Sequence, residues 1–168
     1  MAIGSRALTG SALLVGMLVA GLGQQCTAGE VAAAANSNAA VMTPAERVQS
    51  APRGTLKNPY TGQADKIAEG HELFMSYSCS GCHGGTGGGG MCPQINGDVW
   101  FYGLEDDTLF RLISLGSVEL QKAGFERLGG PGLQMPPFGQ IIKTDDELWK
   151  IIAWIRTIYA GDPKKKTW

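Results

Sequence analysis

Cys79-Ser80-Gly81-Cys82-His83 decides how the rest of this 168-residue chain reads. Two thiols three positions apart can each add to one vinyl group of a single haem, and a histidine directly after them then lies under the iron. The stretch therefore reads as a c-type haem attachment site, with Cys79 and Cys82 holding one covalent haem c and His83 coordinating its iron. Two other chemistries use similar spacing. A thioredoxin-like thiol pair usually opens a helix after a strand, and no β-rich run precedes Cys79. A zinc site of Cys79, Cys82, His83 and Cys92 asks an adjacent Cys and His to reach one tetrahedral ion, and the usual second paired half is missing. The glycine-rich run at 84–90 lacks the Gly-Lys-Ser/Thr ending of a phosphate loop. Beside a porphyrin, glycines let the chain turn where side chains would clash.

The iron needs a second axial ligand, usually a methionine sulfur or another histidine. The other histidine, His71, lies in the helix leading to the motif among Glu69, Gly70 and Glu72 and reads as a solvated helix position. Met135 lies 52 residues after His83, in Leu133-Gln134-Met135-Pro136-Pro137-Phe138-Gly139. That segment cannot be a regular helix, and a rigid loop is what holds a thioether on the open face of the ring. Met75 and Met91 are too near the motif to reach over the ring and read as core filling. Met42 falls in the expected tether. Met135 is thus the axial candidate. A thioether favours ferrous iron and fills the position where oxygen or peroxide would bind, which favours electron transfer over catalysis.

Residues 1–28 read as a signal peptide. Arg6 supplies the positive start, the apolar run at 12–22 is short for a bilayer span, and Cys26-Thr27-Ala28 offers small residues for cleavage. A lipoprotein anchor at Cys26 or an uncleaved anchor is the less favoured alternative, because Gly23-Gln24-Gln25 matches a lipobox poorly. Export to the periplasm fits covalent haem attachment. Cleavage after Ala28 leaves Cys92 without a partner, whereas retention of Cys26 leaves a Cys26–Cys92 bridge open. Residues 29–54 are rich in Ala, Asn and Ser and read as a disordered tether. Residues 55–168 form the expected domain, whose modest core a haem would supplement. Removing the signal leaves 13 basic and 15 acidic residues, a mildly acidic chain that does not suit nucleic acid.

Three helices stand out. Residues 64–77 carry Ile67, Leu73, Phe74 and Tyr77 on one stripe. Residues 105–115 carry Leu109, Leu112 and Ile113, with Gly116 after the end. The last helix opens on the capping box Thr144-Asp145-Asp146-Glu147, carries Leu148, Ile151, Ile152, Ile155 and Ile158, and stops at Gly161 and Pro163. No strand pattern of comparable strength appears. The fold class is all-α.

These residues resemble the class I cytochrome c family, which implies three to five helices around one covalently bound haem. By that resemblance Gly70 and Phe74 meet Ile151 and Trp154 where the first and last helices cross. It also implies that the Pro93 carbonyl accepts a hydrogen bond from His83, and that Met135 is the axial methionine. Asn58-Pro59-Tyr60, Val99-Trp100-Phe101-Tyr102, Leu109-Phe110, Ala153-Trp154-Ile155-Arg156 and Tyr159-Ala160-Gly161-Asp162-Pro163 are similar to cytochrome cL, which accepts electrons from the quinoprotein methanol dehydrogenase. The amicyanin-linked cytochrome of methylamine oxidation is similar in the same places. The chain departs from cytochrome cL at the Gln134-Met135-Pro136-Pro137-Phe138 loop and at Cys92.

The resemblance implies a monomeric periplasmic electron carrier, not an enzyme. Its electrons would come from a PQQ-dependent methanol or alcohol dehydrogenase and pass to another c-type cytochrome or an oxidase. A general respiratory or amicyanin-linked carrier is the alternative, and a haem enzyme or gas sensor would need an open sixth position. Trp100, Phe101 and Tyr102 are candidates for the haem pocket or its rim. Glu105-Asp106-Asp107 and Lys164-Lys165-Lys166 are candidate docking charges, set against a solvated helix start and a frayed tail.

Overall fold

Five α-helices occur among the residues that the computed structural model describes, 41–129 and 132–168. They are α1 (Pro44–Ser50), α2 (Ala64–Ser76), α3 (Cys79–His83), α4 (Asp106–Lys122) and α5 (Asp145–Thr157), followed by a 3₁₀ turn at Pro163–Lys165. No strand occurs among these residues, and the fold is all-α. The expected signal peptide, and the expected tether as far as residue 40, lie outside the described residues.

Helices α2 and α5 cross at the centre of the fold. At Gly70 a side chain would meet the backbone of the other helix, because a Cβ there would lie 1.9 Å from the Lys150 carbonyl oxygen. Phe74 packs on Trp154 with ring centres 4.6 Å apart. Phe74, Phe110, Leu148, Ile151 and Ile152 are fully buried around this crossing. Thr144 caps α5 by accepting a hydrogen bond from the Glu147 amide at 3.1 Å. The carboxylate of Glu147 turns to the Tyr77 hydroxyl, 2.7 Å away, so half of the expected capping box serves to join α5 to the end of α2.

The expected tether at 29–54 needs correction at its C-terminal end. Thr43-Pro44-Ala45-Glu46 forms a complete capping box at the start of α1, and Pro44, Ala45 and Val48 are buried. Arg47 pairs with Asp145 at 2.6 Å, and the Met42 carbonyl accepts from the Asp145 amide at 2.7 Å. The folded part therefore begins before residue 55.

Helix α4 also runs further than expected. Gly116 breaks it with φ 74° and ψ 169°, and the helix resumes as far as Lys122. The acidic residues at its start face inward. Asp106 is buried against Arg156 at 2.7 Å, and Asp107 is buried against Arg111 at 2.8 Å. Neither a docking role nor a solvated helix start describes these two residues. Arg111 also donates to the carbonyls of Val48, Ala51 and Pro52, which ties α1 to α4.

Burial opposes ionisation of Asp107, but the Arg111 guanidinium and the amides of Gly54 and Leu56 outweigh it and hold the carboxyl below its ordinary value. A lowered folded-state pKa contributes stability above the unfolded value, near pH 4, that is lost as pH falls through the folded value. Asp107→Asn is expected to cost about 2 kcal/mol at neutral pH and to flatten the stability loss below about pH 4. Denaturant midpoints measured across that range check both effects. An unchanged acid limb would show that another group controls it.

The C-terminal segment is ordered and tied down. Asp98 accepts from the Tyr159 hydroxyl at 3.1 Å, the Asp162 amide at 2.9 Å and Lys165 Nζ at 2.6 Å. The lysine and the amide hold the Asp98 carboxyl down to about 2. Trp168 packs edge-on against Tyr159 and under Arg156. Lys165 is thus part of the fold, and the segment is not a frayed tail.

Candidate functional site

The Cys-Ser-Gly-Cys-His stretch is itself the single helical turn α3, set off from α2 by Ser78 in the left-handed region at φ 61°. The glycine-rich loop then folds back under it. The Gly89 amide donates to the His83 carbonyl at 2.9 Å and the Cys92 amide to the Cys82 carbonyl at 3.1 Å. This return brings the Pro93 carbonyl 2.8 Å from His83 Nδ1. A carbonyl only accepts, so Nδ1 carries the hydrogen and the Nε2 lone pair is left for a metal. Burial pushes the Cys79 thiol up to about 11, so it is protonated at neutral pH. Burial, and then the neighbouring Cys82, also push the Cys92 thiol up.

Beside α3 opens an apolar cleft enclosing about 990 Å³ of space that extends to solvent. It is lined by Cys79, His83, Pro93, Leu133 and Met135, with Phe74, Leu109, Ile113 and Ile151 among its apolar walls. Trp100, Phe101 and Tyr102 line it as well. A second cleft of about 500 Å³ holds Cys82 and Cys92 and shares Cys79, His83, Pro93, Leu133 and Met135 with the first. The structure therefore brings all five expected site residues together. Among the described residues, no three His, Cys, Asp or Glu side chains converge as a metal site, so the zinc arrangement of Cys79, Cys82, His83 and Cys92 does not form.

A haem fits what the residues offer. The larger cleft is lined mostly by apolar and aromatic side chains and opens to solvent, which suits a large apolar ring with one edge exposed. A haem also carries carboxylates. Arg127 is the one lysine or arginine that lines the cleft, and its buried Nη1 has no hydrogen-bond partner among the described residues. Its guanidinium lies 4.2 Å over the Phe101 ring, which holds it in place. Sequence reasoning missed Arg127, because nothing in its local pattern sets it apart from a surface arginine.

The Met135 segment is laced to the break in α4. Pro136 and Pro137 have no amide hydrogen, and the Phe138 and Gly139 amides donate to the Ile113 and Ser114 carbonyls at 2.9 Å and 3.0 Å. Those are carbonyls that the break at Gly116 frees from the helical ladder. The other candidates lie elsewhere. His71 stacks on Trp154 with ring centres 4.7 Å apart, which makes it a packing residue and not simply a solvated one. Met75 and Met91 are exposed, so they do not fill the core. Cys26 lies outside the described residues.

Residues 65–155, more than half of the chain, match the family described as cytochrome c oxidase, cbb3-type, subunit III. The chain belongs to this family of c-type cytochrome domains. It is 32% identical over 116 residues to cytochrome c-L of Methylorubrum extorquens, a match covering 68% of this chain and 51% of the relative. It is 29% identical over 104 residues to the cbb3-type cytochrome c oxidase subunit FixP of Sinorhizobium medicae, covering 61% of this chain and 33% of the relative. The chain thus spans about half the length of one curated relative and a third of the other. The crystal structure of cytochrome cL from Hyphomicrobium denitrificans superposes with a TM-score of 0.53 at 31% identity, covering 73% of this chain and 68% of that one. The fold is that of class I cytochrome c, and one covalent haem c is its cofactor. The domain is a c-type cytochrome domain.

Proposed function

We propose that this protein is a periplasmic carrier of single electrons, reduced by a quinoprotein methanol or alcohol dehydrogenase and oxidised by another c-type cytochrome or an oxidase. One observation carries the reading: Cys79, His83 and Met135 all line the same two adjoining clefts. Cys79 and Cys82 would attach the haem, and His83 and Met135 would be the side chains that hold its iron. Pro93 fixes the His83 ring and raises its donor strength, and Arg127 takes a haem carboxylate. When bound, haem c supplies a one-electron iron couple. The chain excludes water from one side of that couple with the apolar walls around Phe74 and Ile151. At the mouth, Val99 and Leu133 line the cleft and yet are more than half exposed. Such an apolar rim suits a brief, wet redox encounter. The domain reads as monomeric, behind a signal peptide at residues 1–28 and a tether.

The similarity to cytochrome c-L supports the dehydrogenase as donor. The family description and the similarity to FixP favour a second reading, a general respiratory carrier on the path to an oxidase. Mixing the oxidised, haem-loaded protein with methanol-reduced quinoprotein methanol dehydrogenase from the same cell separates the two. Fast, saturable reduction that changes with salt is the expected result. Reduction no faster than that of an unrelated cytochrome would favour the respiratory reading.

A further inference from the structure

Both main-chain polar groups of Met135 are held by one residue. The Met135 amide donates to the Ser117 hydroxyl at 3.0 Å, and the Met135 carbonyl accepts from the Ser117 amide at 2.9 Å. Ser117 is 3% exposed and lines the larger cleft. Its amide is free because Gly116 interrupts the helix just before it. The fit at Gly116 is close, since a Cβ there would lie 2.7 Å from the Met135 carbonyl oxygen and 2.8 Å from the Pro137 nitrogen. Gln121 donates to the Ser117 carbonyl at 3.2 Å and reaches the Tyr102 hydroxyl at 2.7 Å and Gln134 at 3.3 Å, which braces the same corner.

We infer that Ser117 is a positioning residue, which keeps the Met135 thioether on the iron through a hydroxyl and an amide that together grip the Met135 backbone. This rests on the reading of Met135 as axial ligand. The physical reason is the Pro136-Pro137 pair. These residues stiffen the loop but cannot donate, so the only amide at the sulfur-bearing residue is that of Met135 itself, and Ser117 is its acceptor. Losing the hydroxyl leaves that amide without a partner and lets the loop lift away from the ring. An outside ligand then competes with the thioether more easily.

The test uses the ferric, haem-loaded protein and imidazole as the competing ligand. Ser117→Ala is expected to bind imidazole about tenfold more tightly than the parent, about 1.4 kcal/mol, and to weaken the red sulfur-to-iron absorption band. Ser117→Thr, which keeps the hydroxyl, is expected to restore both. Ser117→Ala with unchanged band and imidazole affinity would overturn the inference, provided Met135→Ala has lost the band. Met135→Ala that keeps the band would overturn the ligand assignment itself, and Ser117 would lose its role with it. Should Ser117→Ala fail to accumulate, Ser117→Cys fills the site with a thiol that accepts only weakly from the Met135 amide, and the same two readings decide.

Discussion

A single methyl group added at residue 70 is expected to cost the folded protein about 3 kcal/mol or more. The Cβ of Gly70→Ala would lie 1.9 Å from the Lys150 carbonyl oxygen, 2.5 Å from its carbon and 3.1 Å from the Ile151 nitrogen. These are backbone atoms of a buried helix and cannot swing aside as a side-chain tip can. The helices must move apart instead. Moving them apart loosens Phe74 and His71 from Trp154. It also stretches the Lys150 pair with Glu69 at 2.7 Å. Ordinary helix propensity favours alanine over glycine by about 1 kcal/mol, so a large loss would come from collision alone. Urea unfolding of the haem-loaded protein measures it, with exposed Glu72→Ala as a control expected to stay within about 0.5 kcal/mol. A cost below about 1 kcal/mol would mean that α2 and α5 do not touch at Gly70.

The same crossing shows why part of this fold was legible in the sequence. The apolar stripes of α2 and α5 follow helical spacing, and the haem motif states its chemistry in five residues. Other features depended on contacts distant in sequence. Thr43-Pro44-Ala45-Glu46 is a capping box that could have been read, but α1 has seven residues and stands after an Ala-rich stretch that masks it. Asp107 and Arg111 have the four-residue spacing of a surface helix pair. Only the carbonyls of Val48, Ala51 and Pro52 turn Arg111 into an interior residue. Gly116 read as a helix end. It is a break whose freed groups are taken up by a loop some twenty residues later. Met135 could be singled out as a candidate because two prolines follow it, and it lines both clefts, whereas Ser117 carried no signal beyond lying next to a glycine.

Met135→Ala, loaded with haem, is expected to bind carbon monoxide in the ferrous state, where the parent does not. The alanine removes the sulfur, but the groups that hold the loop do not depend on the side chain. The Ser117 grip on the Met135 backbone and the bonds from Phe138 and Gly139 to α4 remain. The loop therefore stays in place and the cavity stays open. Among the described residues, no histidine or methionine besides His83 and Met135 lines either cleft. His71 stacks on Trp154 outside both clefts, and Met75 and Met91 line neither. Met42 is tied through its carbonyl to the start of α5. The variant should also be harder to reduce, because a thioether favours ferrous iron. Visible spectra of the reduced protein with and without carbon monoxide, and a redox titration, check the two effects. Carbon monoxide binding by the parent at the same concentration would mean that the Met135–iron bond is not stable. A variant that binds none and keeps the parent potential would place the sixth ligand elsewhere.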